Sequence, residues 1–251
     1  MRRFATLAAL TIAGGLALAG PAIGADAPKA FTPDQENAIR EVVRDYLVKH
    51  PEVLVEAIQA LQEKQQAAEK DQRQKALVEH RAELDRDAAS PVAGNPKGDV
   101  TVVEFFDYRC PYCKSVSDRL FDTIKADGKV RYVLKEFPIL GPESVFAAKA
   151  ALAAQKQGKY IEFHRALMAA RGNLDEAAVM ALAKSVGLDQ KRLRDEMDGR
   201  DIAEHIDRTM KLAQALKIDG TPAFVVGDQL VPGAVSTEAL KTLIEQTRKT
   251  N

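Results

Sequence analysis

The chain has 251 residues, with 36 Lys and Arg against 36 Asp and Glu and a formal net charge of zero. That balance excludes the sequence-independent, phosphate-driven attraction that marks nucleic-acid binders. At 46% hydrophobic and 29% charged residues the chain is too apolar and too nearly neutral to be mostly disordered, and two cysteines, Cys110 and Cys113, are too few for a disulfide framework joining distant segments.

At the N-terminus, Arg2 and Arg3 precede an uncharged run from Phe4 to Gly20, and small residues follow around Ala22 to Ala27. This is the pattern of a secretory signal peptide, expected over residues 1–25 with cleavage after Gly24 or Ala25. The alternative, a membrane anchor, needs about 20 apolar residues, and this run is short and rich in Gly and Ala. Loss of Arg2 and Arg3 leaves a mature chain of about −2, and no second segment is apolar enough to span a bilayer. The mature protein is therefore expected in an oxidising, exported compartment, the periplasm.

Residues 26–89 are expected to form a helical extension. Thr32, Pro33 and Gln35 make a capping box with Pro at the first helical position. Ile39, Val42, Val43, Tyr46 and Leu47 then recur at three-four spacing, and His50-Pro51 breaks the helix. Val53, Leu54, Ala57, Ile58 and Leu61 stripe a second helix, followed by an almost wholly polar run from Gln62 to Lys75. Two readings stay open: a solvated spacer, or stripes over residues 32–61 that pack against copies of themselves in a homo-oligomer.

The pattern changes at Ser90–Asp99, where Pro and Gly punctuate a loop or short edge strand. A second domain, 90–251, is expected from here. Val100 to Phe106 reads as a buried strand, Pro111 to about Ala126 as a helix and Lys129 to Phe137 as another strand. Five helices follow between Pro142 and Leu216, broken at Gly158, Gly172 and Gly187, with an inserted helical domain at about 141–200. Residues 221–227 and 229–231 look like a hairpin turned at Gly227-Asp228, and Thr237 to Arg248 like a closing amphipathic helix. The expected class is α/β, a small mixed sheet with an inserted helical block.

The chemistry rests on Cys110-Pro111-Tyr112-Cys113. At a strand-to-helix junction the first sulfur meets unpaired backbone N–H groups and the positive end of the helix dipole, which favour a thiolate. Cys110 is thus the expected nucleophile, exposed and acidic. Pro111 suits the first helical turn, and Cys113, one turn on and less exposed, would resolve a mixed disulfide. The competing chemistry is metal binding: half of a zinc site, or Cu(I) on the two soft thiolates. The four His stand 30 or more residues apart, without the paired ligands a zinc site needs, so no metal ligand set and no cofactor are expected. Two further positions stand out. Thr221-Pro222 opens a strand, where a cis bond would bring Thr221 beside Cys110, although trans is the commoner state. Glu104 is a lone carboxylate in an apolar strand, either a proton relay for Cys113 or half of an ion pair with Lys135.

The stretch Glu104-Phe105-Phe106-Asp107-Tyr108-Arg109-Cys110-Pro111-Tyr112-Cys113, with the late Gly220-Thr221-Pro222-Ala223, resembles the DsbA-type thiol-disulfide oxidoreductases. That likeness implies a thioredoxin-like fold with a helical insertion. It further implies that Cys110 attacks, Cys113 resolves, Pro222 is cis and contacts substrate with Thr221, and Glu104 lies under the site. Tyr46-Leu47-Val48-Lys49-His50-Pro51-Glu52-Val53 is similar to the N-terminal region of the suppressor-of-copper-sensitivity C (ScsC) branch, in which such an extension can drive oligomerisation and isomerase activity. The resemblance implies two kinds of partner: unfolded or wrongly paired exported proteins, and a membrane redox partner, a DsbD-like reductase or a DsbB-like oxidase. Tyr112 replaces the His of the best-known oxidases, and Thr221 resembles the isomerase members more than the Val of the strong oxidases. The leading expectation is a disulfide isomerase, with a dithiol oxidase or a Cu(I)-binding protein as alternatives.

Overall fold

The computed structural model describes residues 31–250, so the expected signal peptide lies outside the described residues. The chain divides into two compact units, one ending at Gln62 and one beginning at Glu63.

The first unit holds helix α1 (Pro33–Lys49) and the start of α2 (Glu52–Glu79). The capping box forms as spelled: the Gln35 N–H donates to the Thr32 hydroxyl at 3.3 Å, and the Thr32 N–H donates to the Gln35 side chain at 3.0 Å. His50 ends α1 because Pro51 cannot supply the next helical N–H. No residue of α1 is buried, and Ile39, Val43, Tyr46, Leu54, Ile58 and Leu61 are all exposed.

The second unit is built on a five-stranded sheet in the order β1-β3-β2-β4-β5, made of β1 (Val92–Gly94), β2 (Val100–Phe106), β3 (Val130–Glu136), β4 (Ala223–Val226) and β5 (Gln229–Pro232). Only β2 and β3 are parallel, joined by helix α4 (Pro111–Asp127). Gly128, at φ +71°, ends α4 in the left-handed conformation that glycine adopts without penalty. Gly227, at φ +56°, does the same in the β4–β5 turn. Five helices, α5 (Pro142–Lys156), α6 (Tyr160–Ala169), α7 (Glu176–Ser185), α8 (Gln190–Met197) and α9 (Arg200–Ala215), lie between β3 and β4, and α10 (Thr237–Thr250) closes the chain.

Strand alternation divides the core into two layers. Val100, Val102 and Phe106 face one side with Tyr132, Leu134, Phe224 and Val226, packed with residues of α4 to α8 and α10. Val103, Phe105, Val133 and Val225 face the other, with Leu212 of α9, Leu77 of α2 and Leu84 of the short α3 (Arg81–Asp85).

The compact unit therefore reaches further back than the expected domain start at residue 90. Leu77 and Leu84 are fully buried in its second layer, each contributing about 2 kcal/mol by burial. Arg81 donates to the Gly227 carbonyl at 2.9 Å and pairs with Asp228, which fastens α3 to the β4–β5 turn.

Candidate active site

The site sits where β2 runs out. After Phe106 the chain turns through Asp107-Tyr108-Arg109, and Cys110 becomes the N-cap of α4 with extended backbone (φ −69°, ψ 117°). The Cys113 N–H donates to the Cys110 sulfur at 3.4 Å, so the sulfur fills the capping role usually taken by a Ser or Asp oxygen. Pro111 occupies the first helical position, where its missing N–H costs nothing.

Both cysteines are free thiols. Cys113 is wholly buried, and Cys110, expected to be exposed, is only 3% exposed; of the motif's interior pair, Tyr112 stands 65% exposed. The bond Thr221–Pro222 is cis. The Cys110 thiol donates to the Thr221 carbonyl at 3.2 Å. The structure thus brings Cys110, Cys113, Pro111, Tyr112, Thr221 and Pro222 into one neighbourhood from two segments more than a hundred residues apart.

The electrostatics separate the two thiols. Hydrogen bonding from the Cys113 thiol, with the Thr221 side chain and the backbone N–H groups of Cys113 and Tyr112, outweighs burial and pulls Cys110 down to about 5. Burial pushes Cys113 far above the ordinary thiol range, helped by the bond to Cys110 and the negative charge of Glu104. One sulfur is a thiolate at neutral pH and the other holds its proton.

Glu104 is fully buried and couples electrostatically to both sulfurs. Burial raises its carboxyl to about 8, against a stabilising hydrogen bond from the Tyr132 hydroxyl, and the Cys110 charge raises it further. The ion pair with Lys135 does not form, because Glu104 is in register with Leu134 and Lys135, one residue on, points to the opposite face. There its ammonium donates to the Glu83 carbonyl at 2.7 Å and the Ser90 hydroxyl at 2.8 Å and pairs with Asp87.

Three features escaped the sequence reading. Buried Asp107 accepts from the Arg109 N–H and the Ser144 hydroxyl, each at 2.7 Å, and from the Leu140 N–H at 2.9 Å, which sets the loop that carries Cys110. Its signal is an Asp directly after a strand, where a side-chain oxygen can take the N–H two residues on. Glu136 is a second buried carboxyl, also raised to about 8 by burial. It accepts from Tyr160 at 2.6 Å and Tyr108 at 2.8 Å, and the Tyr108 hydroxyl lies 3.1 Å from His164 Nδ1. Burial holds His164 neutral, at about 3. Glu136 lacked the signal of Glu104, because β3 also carries Arg131 and Lys135 and its carboxylate reads as one charge among three. Third, Arg109, Pro111, Lys114, Arg171 and Asn173 line a cavity of about 340 Å³ beside the cysteines. Among the described residues no group of three or more His, Cys, Asp or Glu is placed to hold a metal ion, and no helix is long and apolar enough to cross a membrane.

Comparison with known proteins places these features among relatives. The family model described as Thioredoxin matches residues 86–246, and the one described as Copper resistance protein ScsC N-terminal domain matches residues 35–68. A thioredoxin-like oxidoreductase from Silicibacter pomeroyi is 49% identical, with a TM-score of 0.66 over 67% of this chain and 98% of that one. A linker-deletion mutant of Proteus mirabilis ScsC is 30% identical, with a TM-score of 0.68 over 90% of this chain and 100% of that one. Disulfide bond formation protein D of Bacillus subtilis is 28% identical over 171 residues, 63% of this chain and 77% of the relative. The Na(+)/H(+) antiporter NhaA 1 of Salinispora arenicola is 33% identical over 155 residues, 61% of this chain. The chain spans about a quarter of the length of that antiporter.

Proposed function

The chain belongs to the DsbA-like thiol-disulfide oxidoreductases of the thioredoxin family, with an ScsC-type N-terminal region, and from that premise we propose that it is an exported disulfide isomerase. The single observation that carries the thiol-exchange core of this reading is Cys110 as the sulfur N-cap of α4, with its thiol pulled down to about 5 beside the Thr221 carbonyl.

The Cys110 thiolate attacks one sulfur of a substrate disulfide. A Cys110–substrate bond forms, the substrate S–S bond breaks, and the departing sulfur leaves as a thiolate. In isomerisation a substrate thiolate then attacks the mixed disulfide; a new substrate disulfide forms and Cys110 is released as thiolate, with no net electron transfer. In the escape route Cys113 attacks instead, its proton passing to the Glu104 carboxylate, whose ionisation is eased in the mixed disulfide because the raising charge of the Cys110 thiolate is gone. The products are the Cys110–Cys113 disulfide and a substrate reduced by two electrons, and a DsbD-like membrane reductase returns the cysteines to the dithiol. Thr221 and Pro222 line the substrate side of Cys110, and Tyr112 offers an exposed aromatic face to the bound chain.

Thr221 ahead of the proline and the ScsC-type extension with its exposed apolar stripe support isomerisation; on this reading residues 32–61 join copies of the chain. The substrates are unfolded or wrongly paired exported proteins in the periplasm, reached through the signal peptide. The second reading, an oxidase reset by a DsbB-like partner, is favoured by the acidic Cys110, since a stable thiolate is a good leaving group and makes its disulfide oxidising.

The test is recovery of a scrambled-disulfide protein in glutathione buffer by residues 26–251 and by a truncation beginning at Glu63, which keeps Leu77 and Leu84 in the core. Recovery by the long form alone supports an isomerase that needs its extension. Failure of both with dithiol oxidation intact overturns isomerase in favour of oxidase, and exchange that survives Cys110→Ser overturns the whole reading.

A further inference from the structure

The cavity lies beside Cys110, whose two chain neighbours, Arg109 and Pro111, both line it, and adjacent Cα atoms stand about 3.8 Å apart. Its far wall is the segment after α6, with Arg171, Asn173 and Leu174. Lys114 ties the walls together, donating to the Ala170 carbonyl at 2.7 Å and the Leu167 carbonyl at 3.3 Å.

The lining carries three cations and, among the described residues, no carboxylate. Arg109 is partly matched from outside the cavity by Glu143 at 3.0 Å. Lys114 spends its ammonium on carbonyls, and its affinity for a proton is lowered first by burial and then by the charge of Arg171. Arg171 is exposed and makes no hydrogen bond or ion pair with any described residue. A chain of zero formal charge has gathered three cations on one cleft near its reactive sulfur and left one of them, Arg171, without a partner among the described residues.

We propose that this cleft selects substrate segments carrying Asp or Glu close to the cysteine under attack, with the substrate carboxylate seated between Arg171 and Lys114 while its sulfur meets Cys110. The inference rests on the thiol-exchange reading above and names its substrate class. A segment extended over Pro111 advances about 3.3 Å per residue, so a carboxylate one or two residues from the substrate cysteine falls over the cleft. The Cys110 thiolate itself repels a carboxylate, so preference for an acidic peptide is the sign that distinguishes the cleft from the sulfur.

The experiment uses the reduced Cys113→Ser protein and three peptides that differ only in the residues flanking one cysteine, Glu, Gln or Lys, each as a mixed disulfide with 2-thiopyridine. Attack on the peptide sulfur forms the Cys110–peptide disulfide and releases thiopyridone, whose absorbance gives the second-order rate constant. At low salt the Glu peptide should react about two- to fivefold faster than the Gln peptide, the range of one exposed ion pair, and the Lys peptide slower than both. The ratio should fall toward one at 1 M salt, where charges are screened beyond about 3 Å, and Arg171→Glu should reverse the order of Glu and Lys. Equal rates for the three peptides at low salt, or a Glu preference unchanged in Arg171→Glu, overturns the cleft while leaving thiol exchange standing. No reaction with any peptide overturns the thiol-exchange reading, and the cleft's role falls with it.

Discussion

The Thr221 carbonyl oxygen lies 3.2 Å from the Cys110 sulfur, so one residue from the late hairpin meets the early motif with two polar groups of opposite effect. The carbonyl can only accept and favours the thiol, whereas the Thr221 side chain lowers the Cys110 pKa. Thr221→Val keeps the carbonyl and removes the hydroxyl. The variant should have a less acidic Cys110, and its alkylation by iodoacetamide at pH 5 to 6 should slow by about two- to tenfold, the range of one hydrogen bond. An unchanged alkylation profile would refute this role for the hydroxyl.

Cys110 titrates at about 5 in the folded protein against an ordinary value of 9.0. Between those pH values the folded state binds fewer protons than the unfolded chain. Cys110 therefore contributes stability that grows as pH rises from about 5 to about 9 and is lost as pH falls back through 5. Urea unfolding of the reduced protein and of Cys110→Ser from pH 4.5 to 8.5 should show a stability difference that grows with pH; a flat difference contradicts the assignment.

Glu104 has the opposite sign. Its carboxyl moves from an ordinary 4.5 to about 8, so the folded state keeps a proton that the unfolded chain has already lost, and stability falls as pH rises from about 4.5 to about 8. Glu104→Gln should stabilise the protein at pH 7.5 by on the order of 2 kcal/mol and remove its own falling contribution, leaving the falling contribution of Glu136 and the rising one of Cys110. The same variant should slow resolution of a Cys110 mixed disulfide by Cys113 about tenfold or more if Glu104 takes the Cys113 proton. Stopped-flow decay of the mixed disulfide reads this directly.

The hydroxyls of Tyr160 on α6 and Tyr108 in the active-site loop converge on Glu136 of β3, joining the inserted helices to the sheet. Tyr160→Phe leaves the buried carboxyl with one partner and should cost about 1–2 kcal/mol in urea unfolding. A neutral result would mean that the remaining contacts of Tyr108 and His164 compensate fully.

On the extension, Val43 and Ile58 are 50% and 55% exposed. If the stripe joins copies of the chain, residues 26–251 should elute as an oligomer by light scattering, and Val43→Asp with Ile58→Asp should bring the mass down to one chain. An unaltered mass would return the extension to the role of spacer.

Much of the fold was legible because its signals are local. The capping box at Thr32, the break at Pro51, the glycines that end helices, the apolar run at Val100–Phe106 and the β-branched and aromatic residues of Val130–Glu136 act on a few neighbouring residues, and the elements formed where those residues stand. Cys110-Pro111-Tyr112-Cys113 was legible for the same reason, since strand, turn and helix N-terminus are written in one segment.

Tertiary structure decided what depends on approach across the chain. Placing Thr221 on Cys110 and opening a cleft between Pro111 and Arg171 require β4 and the inserted helices to close on the motif. Strand register, a two-residue alternation with no margin for error, sent Lys135 to Asp87 and left Glu104 with Tyr132. Burial of Leu77 and Leu84 drew part of the supposed extension into the second unit, because an isolated apolar residue in a polar helix reveals its partner only when the sheet beneath it exists. Residue order set the chemistry available to this protein; packing set which sulfur is acidic, since desolvation and hydrogen bonding act through space and not along the chain.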